Sequence, residues 1–467
     1  MPLPRSTMTP KKMKQEMDKV IKLPELYYSP DNDKIWMKDA RNTFVPYRKG
    51  VVSSRLEHEF ELSPKDSSAL FAQTYKDKVV DLVTPIGGLR MGIQIISGNK
   101  VLVPKEQRRI EPIKGDWEVI REFMIGMLGE EQFEWYKGWL QTWLQAFYNY
   151  KFVPGQVLIC VGETSSGKTL LKSIHNHIFD GGGQPLNYMT GKTPFNGELC
   201  GLCSLHIDDK LNDLGHRGKK KLKAECKELA VAGEWRFEFK NKTAFSASPV
   251  QRLAIFFNYT EDSVSVMPDI DESTRNKISI LDCKRKKMPM PTKTQADKGA
   301  FWEQIVSEMP AYIYHIMYEH VITEEFADTL EERMGVRGYH NEKALNFVEA
   351  YSNEGKRLHA IIEVLRKDNG FCWEGSASEL VKILKEEAKD YKSTPTSIGR
   401  FLNQRIACGS KLVKMVGHRK YWIDVQDYEE MEDEDLHVVK ETSQVEEVSE
   451  LKDRQSDLLE DEEEDYY

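Results

Sequence analysis

The sequence predicts an α/β fold: a parallel-sheet core with helices on its faces, preceded by N-terminal α+β and helical segments and followed by a small domain of helices and a hairpin. Three observations lead there. Val157–Val161 and Leu253–Phe257 are short, wholly apolar runs, as strands covered on both faces should be. Leu170, Leu171, Ile174 and Ile178 follow the first run at helical spacing. At 467 residues the chain is too long for one ordinary domain.

Taken in order, residues 1–22 read as a flexible Lys-rich leader with no apolar centre, so not as a secretory signal. Residues 23–114 read as a small α+β domain with strands near Lys34–Met37, Met91–Ile96 and Val101–Val103. Asp31 and Asp33 resemble a metal-binding pair, but Pro30-Asp-Asn-Asp reads first as a turn. Residues 115–150 form a helical collar. There Trp135, Trp139 and Trp143 recur every fourth position, a broad aromatic face best explained by core packing. The sheet domain spans 151–290, and a helical segment spans 291–354.

Residues 355–425 predict three helices and then a hairpin, Lys411–Val416 with Arg419–Val425. That is a winged-helix order, which would aim Arg400 and Arg405 at a DNA groove. Protein contact is the equal alternative. Residues 426–467 read as a disordered acidic tail.

The net charge of −9 conceals an asymmetry. Residues 427–467 hold 19 Asp/Glu and 3 Lys/Arg, a local −16, which leaves +7 on residues 1–426. A mildly basic folded part is compatible with nucleic acid. No apolar run approaches the ~20 residues of a bilayer span. Seven cysteines, an odd number, argue against a disulfide framework. Cys200 and Cys203 form a C-x-x-C without a second pair, and read as core thiols.

The chemistry begins where the first strand ends. Gly162-Glu163-Thr164-Ser165-Ser166-Gly167-Lys168-Thr169, with Leu170 opening a helix, satisfies G-x-x-x-x-G-K-[ST] in the strand–loop–helix context that motif needs. The glycines let successive N–H groups turn inward around phosphates. The helix points its positive end at the same anion. Lys168 would reach the β- and γ-phosphates of ATP, and the Thr169 hydroxyl would ligate Mg²⁺.

Further motifs narrow the work that ATP drives. Ser204-Leu-His-Ile-Asp208-Asp209 is a strand ending in two carboxylates, a Walker B pattern. Asp208 would hold the Mg²⁺ shell, and Asp209 would orient or deprotonate the attacking water. Asn258 closes the strand Gln251–Asn258 at the position where a ring ATPase senses the γ-phosphate. Trp235, Phe237 and Phe239 alternate toward a Lys240-Asn-Lys242 tip, a basic hairpin loop. Arg275 would reach a neighbouring subunit's γ-phosphate as an arginine finger, unless it forms an intrachain salt bridge. The basic run Arg217–Lys223 reads more simply as a solvated helix face than as phosphate contacts.

In this order and compactness the residues resemble superfamily 3 helicases, the AAA+ motors of small DNA viruses, phages and mobile elements. The closest likeness is to the helicase half of poxvirus-type and phage primase-helicases. The likeness spans roughly residues 115–425.

It implies an AAA+ P-loop ATPase that forms a homo-oligomer, a hexameric ring, on single-stranded or forked DNA. Lys240 and Lys242 would line the pore, with ATP sites between subunits and 3′ to 5′ translocation. Two departures stand out: Asn276 follows Arg275 where a second Arg is common, and no primase domain lies upstream, so a separate primase is implied. A cytoplasmic site of action in a bacterium or virus-infected cell is expected, with no membrane partner. The rival expectations are a sequence-specific replication initiator and a signalling or defence NTPase without unwinding.

Overall fold

The computed structural model describes residues 23–208, 216–241, 243–260, 270, 273–329, 333–351, 361–362, 364–365, 372–387, 394–407, 413–417 and 420–424. The leader and the acidic tail lie outside them.

The first sheet is an antiparallel meander of β1 (Leu26–Ser29), β2 (Lys34–Lys38) and β3 (Phe44–Tyr47). Asp31 and Asp33 sit in the β1–β2 turn, where Asp33 takes a left-handed φ of 50°. Helices α1 (Lys49–Glu59) and α2 (Pro64–Asp77) bury Val52, Leu56 and Phe71 against Leu26, Ile35 and Met37. Ser63 caps α2 by accepting the Asp66 N–H, with Pro64 in the first turn. A second sheet, in the order β4 (Leu82–Val83), β6 (Asn99–Val103), β5 (Gly92–Ile96), follows.

Helices α3 (Glu118–Leu128) and α4 (Glu130–Tyr148) meet at Gly129, whose φ of 75° turns the chain. Trp135, Trp139 and Trp143 are 1 % exposed or less, so the aromatic stripe is core. Trp143 stacks on Phe179 with ring centroids 3.7 Å apart.

The central sheet contains β7 (Val157–Gly162), β8 (Gly182–Gly183), β9 (Ser204–Ile207), β12 (Arg252–Asn258) and β13 (Ile278–Cys283). The hairpin β10 (Trp235–Phe237)–β11 (Phe245–Ala247) precedes β12. Helices α5 (Lys168–Ile178), α6 (Leu186–Met189) and α7 (His216–Val231) lie between these strands in sequence. All five central strands are parallel, in the order β13-β7-β12-β9-β8.

Period-2 alternation explains why the strands are apolar throughout. Leu158, Cys160, Ala254, Phe256, Leu281 and Cys283 face the core shared with α3 and α4. Val157, Ile159, Val161, Leu253, Ile255, Phe257, Ile278 and Ile280 face the opposite core, with Leu222 and Cys226 of α7. Cys200 and Cys203 are also fully buried, and burial pushes both thiols up.

Helix α8 (Gln295–Tyr314) starts at a capping box of Thr294 and Asp297 and runs into a π-turn, His315–Glu319. The sequence reading gives a helical segment over 291–354. Instead, the described residues from 320 to 341 form an extended strap, and helix resumes only in α9 (Glu342–Tyr351). Gly335, with φ 76°, breaks the helical path. Ala327 bridges Val336, and His340 bridges Ile280 in parallel, so the strap lies along the outer edge of β13.

The last segment has its own core, including Leu380, Ile398, Phe401 and Ile423. The predicted hairpin forms as β15 (Val413–Met415) and β16 (Tyr421–Asp424). A further strand, β14 (Cys372–Gly375), pairs with β16 ahead of α10 (Ala377–Glu387) and α11 (Pro395–Ala407). No helix among the described residues is long and apolar enough to cross a membrane.

Candidate functional site

The phosphate loop links the end of β7 to the start of α5, and its glycines are fixed by contact. A Cβ on Gly162 would lie 2.1 Å from the Cys283 carbonyl oxygen on β13. Gly167 has φ 100°, and its Cβ would fall 2.7 Å from the Phe123 ring. Ser165 also takes a positive φ, 63°. Ser165 and Gly167, both at positive φ, lead the loop into the start of α5, where helix N–H groups have no intrahelical partner.

Lys168 is 8 % exposed. Its ammonium donates to Gly162 O at 2.9 Å, Glu163 O at 2.7 Å and Ser166 Oγ at 3.1 Å. Thr164, Ser165 and Thr169 are exposed, while Glu163 and Leu170 are half-buried. Two glycine contacts with no room for a side chain, a helix start and a lysine inside the loop suit a polyphosphate.

The strand order brings the other motif residues to the same edge. β12 lies between β7 and β9, and its register sets Asn258 level with Gly162. On β9, Ile207 pairs with Ile255, so Asp208 comes next to Phe256 at the carboxyl edge. Lys172 Nζ donates to Asp208 Oδ2 at 2.6 Å. Lys172 was not among the sequence candidates. Its signal is spacing: four residues after Lys168, it shares a helix face with that lysine. His206, one residue short of the strand end, is pushed down by burial, which outweighs the pull of Asp208. Asp209 lies outside the described residues.

Arg275 does not join this group. It stands in the turn before β13, whose first residue Ile278 pairs with Val157 at the opposite, amino edge. Five residues at about 3.3 Å each separate Val157 from Gly162, a span of ~17 Å. An Arg side chain does not cross that distance, so Arg275 cannot reach a phosphate on its own loop.

Lys240 is exposed at the tip of the β10–β11 hairpin, followed by Asn241 with φ 60°. The hairpin is seated by Trp235, Phe237, Phe245 and Ala247 in the main core. Lys242 lies outside the described residues. Arg400 is exposed on α11, and Arg405 belongs to the same helix.

No protein-family model and no curated protein matches the chain. Solved structures do match. The apo structure of the NrS-1 C-terminal region (305–718) aligns with TM-score 0.55 at 15 % identity, over 88 % of this chain and 97 % of that one. An A-form apo structure of the same region gives TM-score 0.53 at 15 % identity, over 88 % and 98 %. A ligand-bound JCV helicase reaches only TM-score 0.26 at 11 % identity, over 52 % and 67 %, and carries no weight for the fold. The likeness to the NrS-1 region is one of fold.

Proposed function

We propose that this chain is an ATP-dependent ring DNA helicase, translocating on single-stranded DNA in replication of a phage, virus or mobile element. One observation carries the reading. Lys168 opens α5, Asp208 directly follows β9 and Asn258 ends β12, all at one edge of the sheet, while Arg275 stands at the other. Two copies set edge to edge would complete a pocket that one copy leaves unfinished.

In this reading ATP lies on the loop, facing its N–H groups and the positive end of α5. Lys168 exchanges its loop carbonyls for the β- and γ-phosphates. Thr169 and Asp208, the latter now paired with Lys172, would hold Mg²⁺, and the ion would offset charge on the phosphates. Asp209 orients the attacking water and takes its proton, and Asn258 donates to the γ-phosphate. Arg275 of the adjacent copy stabilises the transferring group.

Only residues 248–251 separate β11 from β12, so a shift of Asn258 and its strand passes directly to the basic hairpin. Lys240 and Lys242 then follow the DNA phosphates through the pore. Residues 355–425 act as a winged helix, a reading supported by the β14-β16-β15 sheet beside α10 and α11. Its Arg400 and Arg405 face DNA. The segments 23–114, 115–150 and 291–354 scaffold the motor domain, 151–290.

The test is ATPase of the full chain with and without single-stranded DNA, alongside particle mass by mass photometry. Rings and DNA stimulation are expected, and Lys168→Ala abolishes hydrolysis and unwinding. Lys240→Ala with Lys242→Ala removes DNA stimulation, and DNA binding weakens steeply with salt. A monomer with full activity overturns the reading.

A further inference from the structure

The amino edge of the sheet carries an open cleft of about 520 Å³, lined by Arg275, Asn276, Arg337, Tyr339 and His340, with Glu131 and Glu325. Two arginines from segments 62 residues apart thus share one hollow (337 less 275). We propose that Arg337 is a second cation that this cleft offers, beside Arg275, to the triphosphate on an adjacent copy's phosphate loop. The inference rests on the shared-pocket reading above and adds a residue to it.

The backbone around Arg337 is held on three sides. Its N–H donates to Phe326 O at 2.9 Å, and its carbonyl accepts the Trp135 indole N–H at 2.8 Å. The preceding residue, Val336, is fully buried and its carbonyl accepts from Gln156 Nε2. Gly338 then packs on the Arg275 turn so closely that a Cβ would meet Arg275 O at 2.5 Å. The two arginines are therefore presented from backbones locked together.

The Arg337 side chain is exposed. Among the described residues it is joined by no ion pair, although Glu131 and Glu325 line the same cleft. Glu131 accepts the Tyr339 hydroxyl at 3.0 Å. His340 contributes no charge at neutral pH, and its Nε2–H donates to Ile278 O at 2.9 Å. A rigid mount with a charged, uncommitted fork is the preorganised donor that a phosphoryl group in transit requires. Its place at the amino edge removes the chain's own nucleotide as the target, and a second copy's carboxyl edge is the matching surface.

The experiment uses full-length protein and ATP. Arg337→Ala is expected to lower kcat by about tenfold or more with a smaller change in KM, at unchanged particle mass. Arg337→Lys, which keeps charge but loses the fork, is expected to fall between. Arg337→Ala and Lys168→Ala protein are then mixed in equal amounts. Random assembly should recover about a quarter of wild-type activity, because half the loops are intact and half of those meet an intact cleft.

Wild-type kcat in Arg337→Ala overturns the proposal. So does an inactive Arg337→Ala that mixing fails to rescue while Arg275→Ala is rescued, which would place Arg337 within its own chain. Failure to rescue either variant overturns the shared-pocket reading itself. If Arg337→Ala does not assemble, Arg337→Gln is put through the same mixing test and read the same way.

Discussion

The carboxyl edge of the central sheet is written almost continuously in the chain, whereas the amino edge is assembled from scattered pieces. At the first edge one loop supplies Gly162 to Thr169, and two strand ends add Asp208 and Asn258. At the second, Arg275 comes from a turn, Arg337 from a strap and Glu131 from α4. A nucleotide site needs a cradle that is preorganised before the ligand arrives, and a contiguous loop supplies it locally. A surface that completes a neighbour's site needs only to present charge at the right place, so distant segments can build it. Both edges are nevertheless rigid, because the same parallel strands end at each.

The largest effect that would sharpen the contrast is at Arg275. If it acts on a neighbour's phosphate, Arg275→Ala should cost ~10³-fold or more in kcat, the scale of an arginine finger. Steady-state ATPase with a fluorescent-nucleotide titration checks this. Lys168→Ala should instead lose nucleotide binding at its own loop. Variants that lose binding and turnover equally would erase the distinction between the edges.

The glycines give a matched pair of smaller size. Gly162→Ala drives a Cβ into the Cys283 carbonyl at 2.1 Å, and Gly338→Ala drives one into the Arg275 carbonyl at 2.5 Å. Both obstacles are backbone, so each substitution should destabilise by about 1–3 kcal/mol, as overpacking does. The readouts should then part. Gly162→Ala deforms the loop and raises KM for ATP. Gly338→Ala separates the two arginine mounts, lowers kcat and leaves KM nearer to wild type. Denaturant titration with ATPase kinetics on both proteins tests the split.

Legibility in the sequence followed the same division. The P-loop, the strand ending at Asp208 and the strand ending at Asn258 were readable because each couples a short apolar run to polar residues at fixed offsets. Lys172 was missed because its partner, Asp208, is 36 residues away, although its i+4 relation to Lys168 was in plain sight. The helical reading of 291–354 rests on Trp302, Ile305, Val306 and Tyr312–Met317, all within α8 and its π-turn, and does not extend to the strap, where Phe326, Met334 and Val336 are buried without helix. Gly335 and Gly338 were the contrary signal. Arg337 was hidden with it, since only the fold brings that segment beside Arg275. Strand β14 escaped because Cys-Trp-Glu-Gly places only Trp373 and Gly375 inward, too short an alternation to identify alone.

The smallest effect links the two edges through protonation. Burial first, and then the Arg275 charge, push His340 from its ordinary 6.5 down to about 4. The unfolded chain therefore takes up this proton near pH 6.5 while the folded chain resists until about pH 4. Stability from His340 is full above pH 6.5 and is lost as pH falls toward 4, by about 3 kcal/mol in all. His175, on α5 behind the phosphate loop, is pushed down to about 3 by burial first, with only the nearby His206 adding to it. Both contributions carry the same sign, so acid titration of the wild type cannot separate them. Arg275→Ala can: it should raise the His340 titration midpoint measured by NMR and leave that of His175 in place. His340→Gln, which keeps a side-chain N–H donor, should flatten the stability loss between pH 6.5 and 4. An unmoved His340 midpoint in Arg275→Ala would mean that the arginine charge does not reach the floor of the cleft, and the amino edge would lose its claim to be one electrostatic unit.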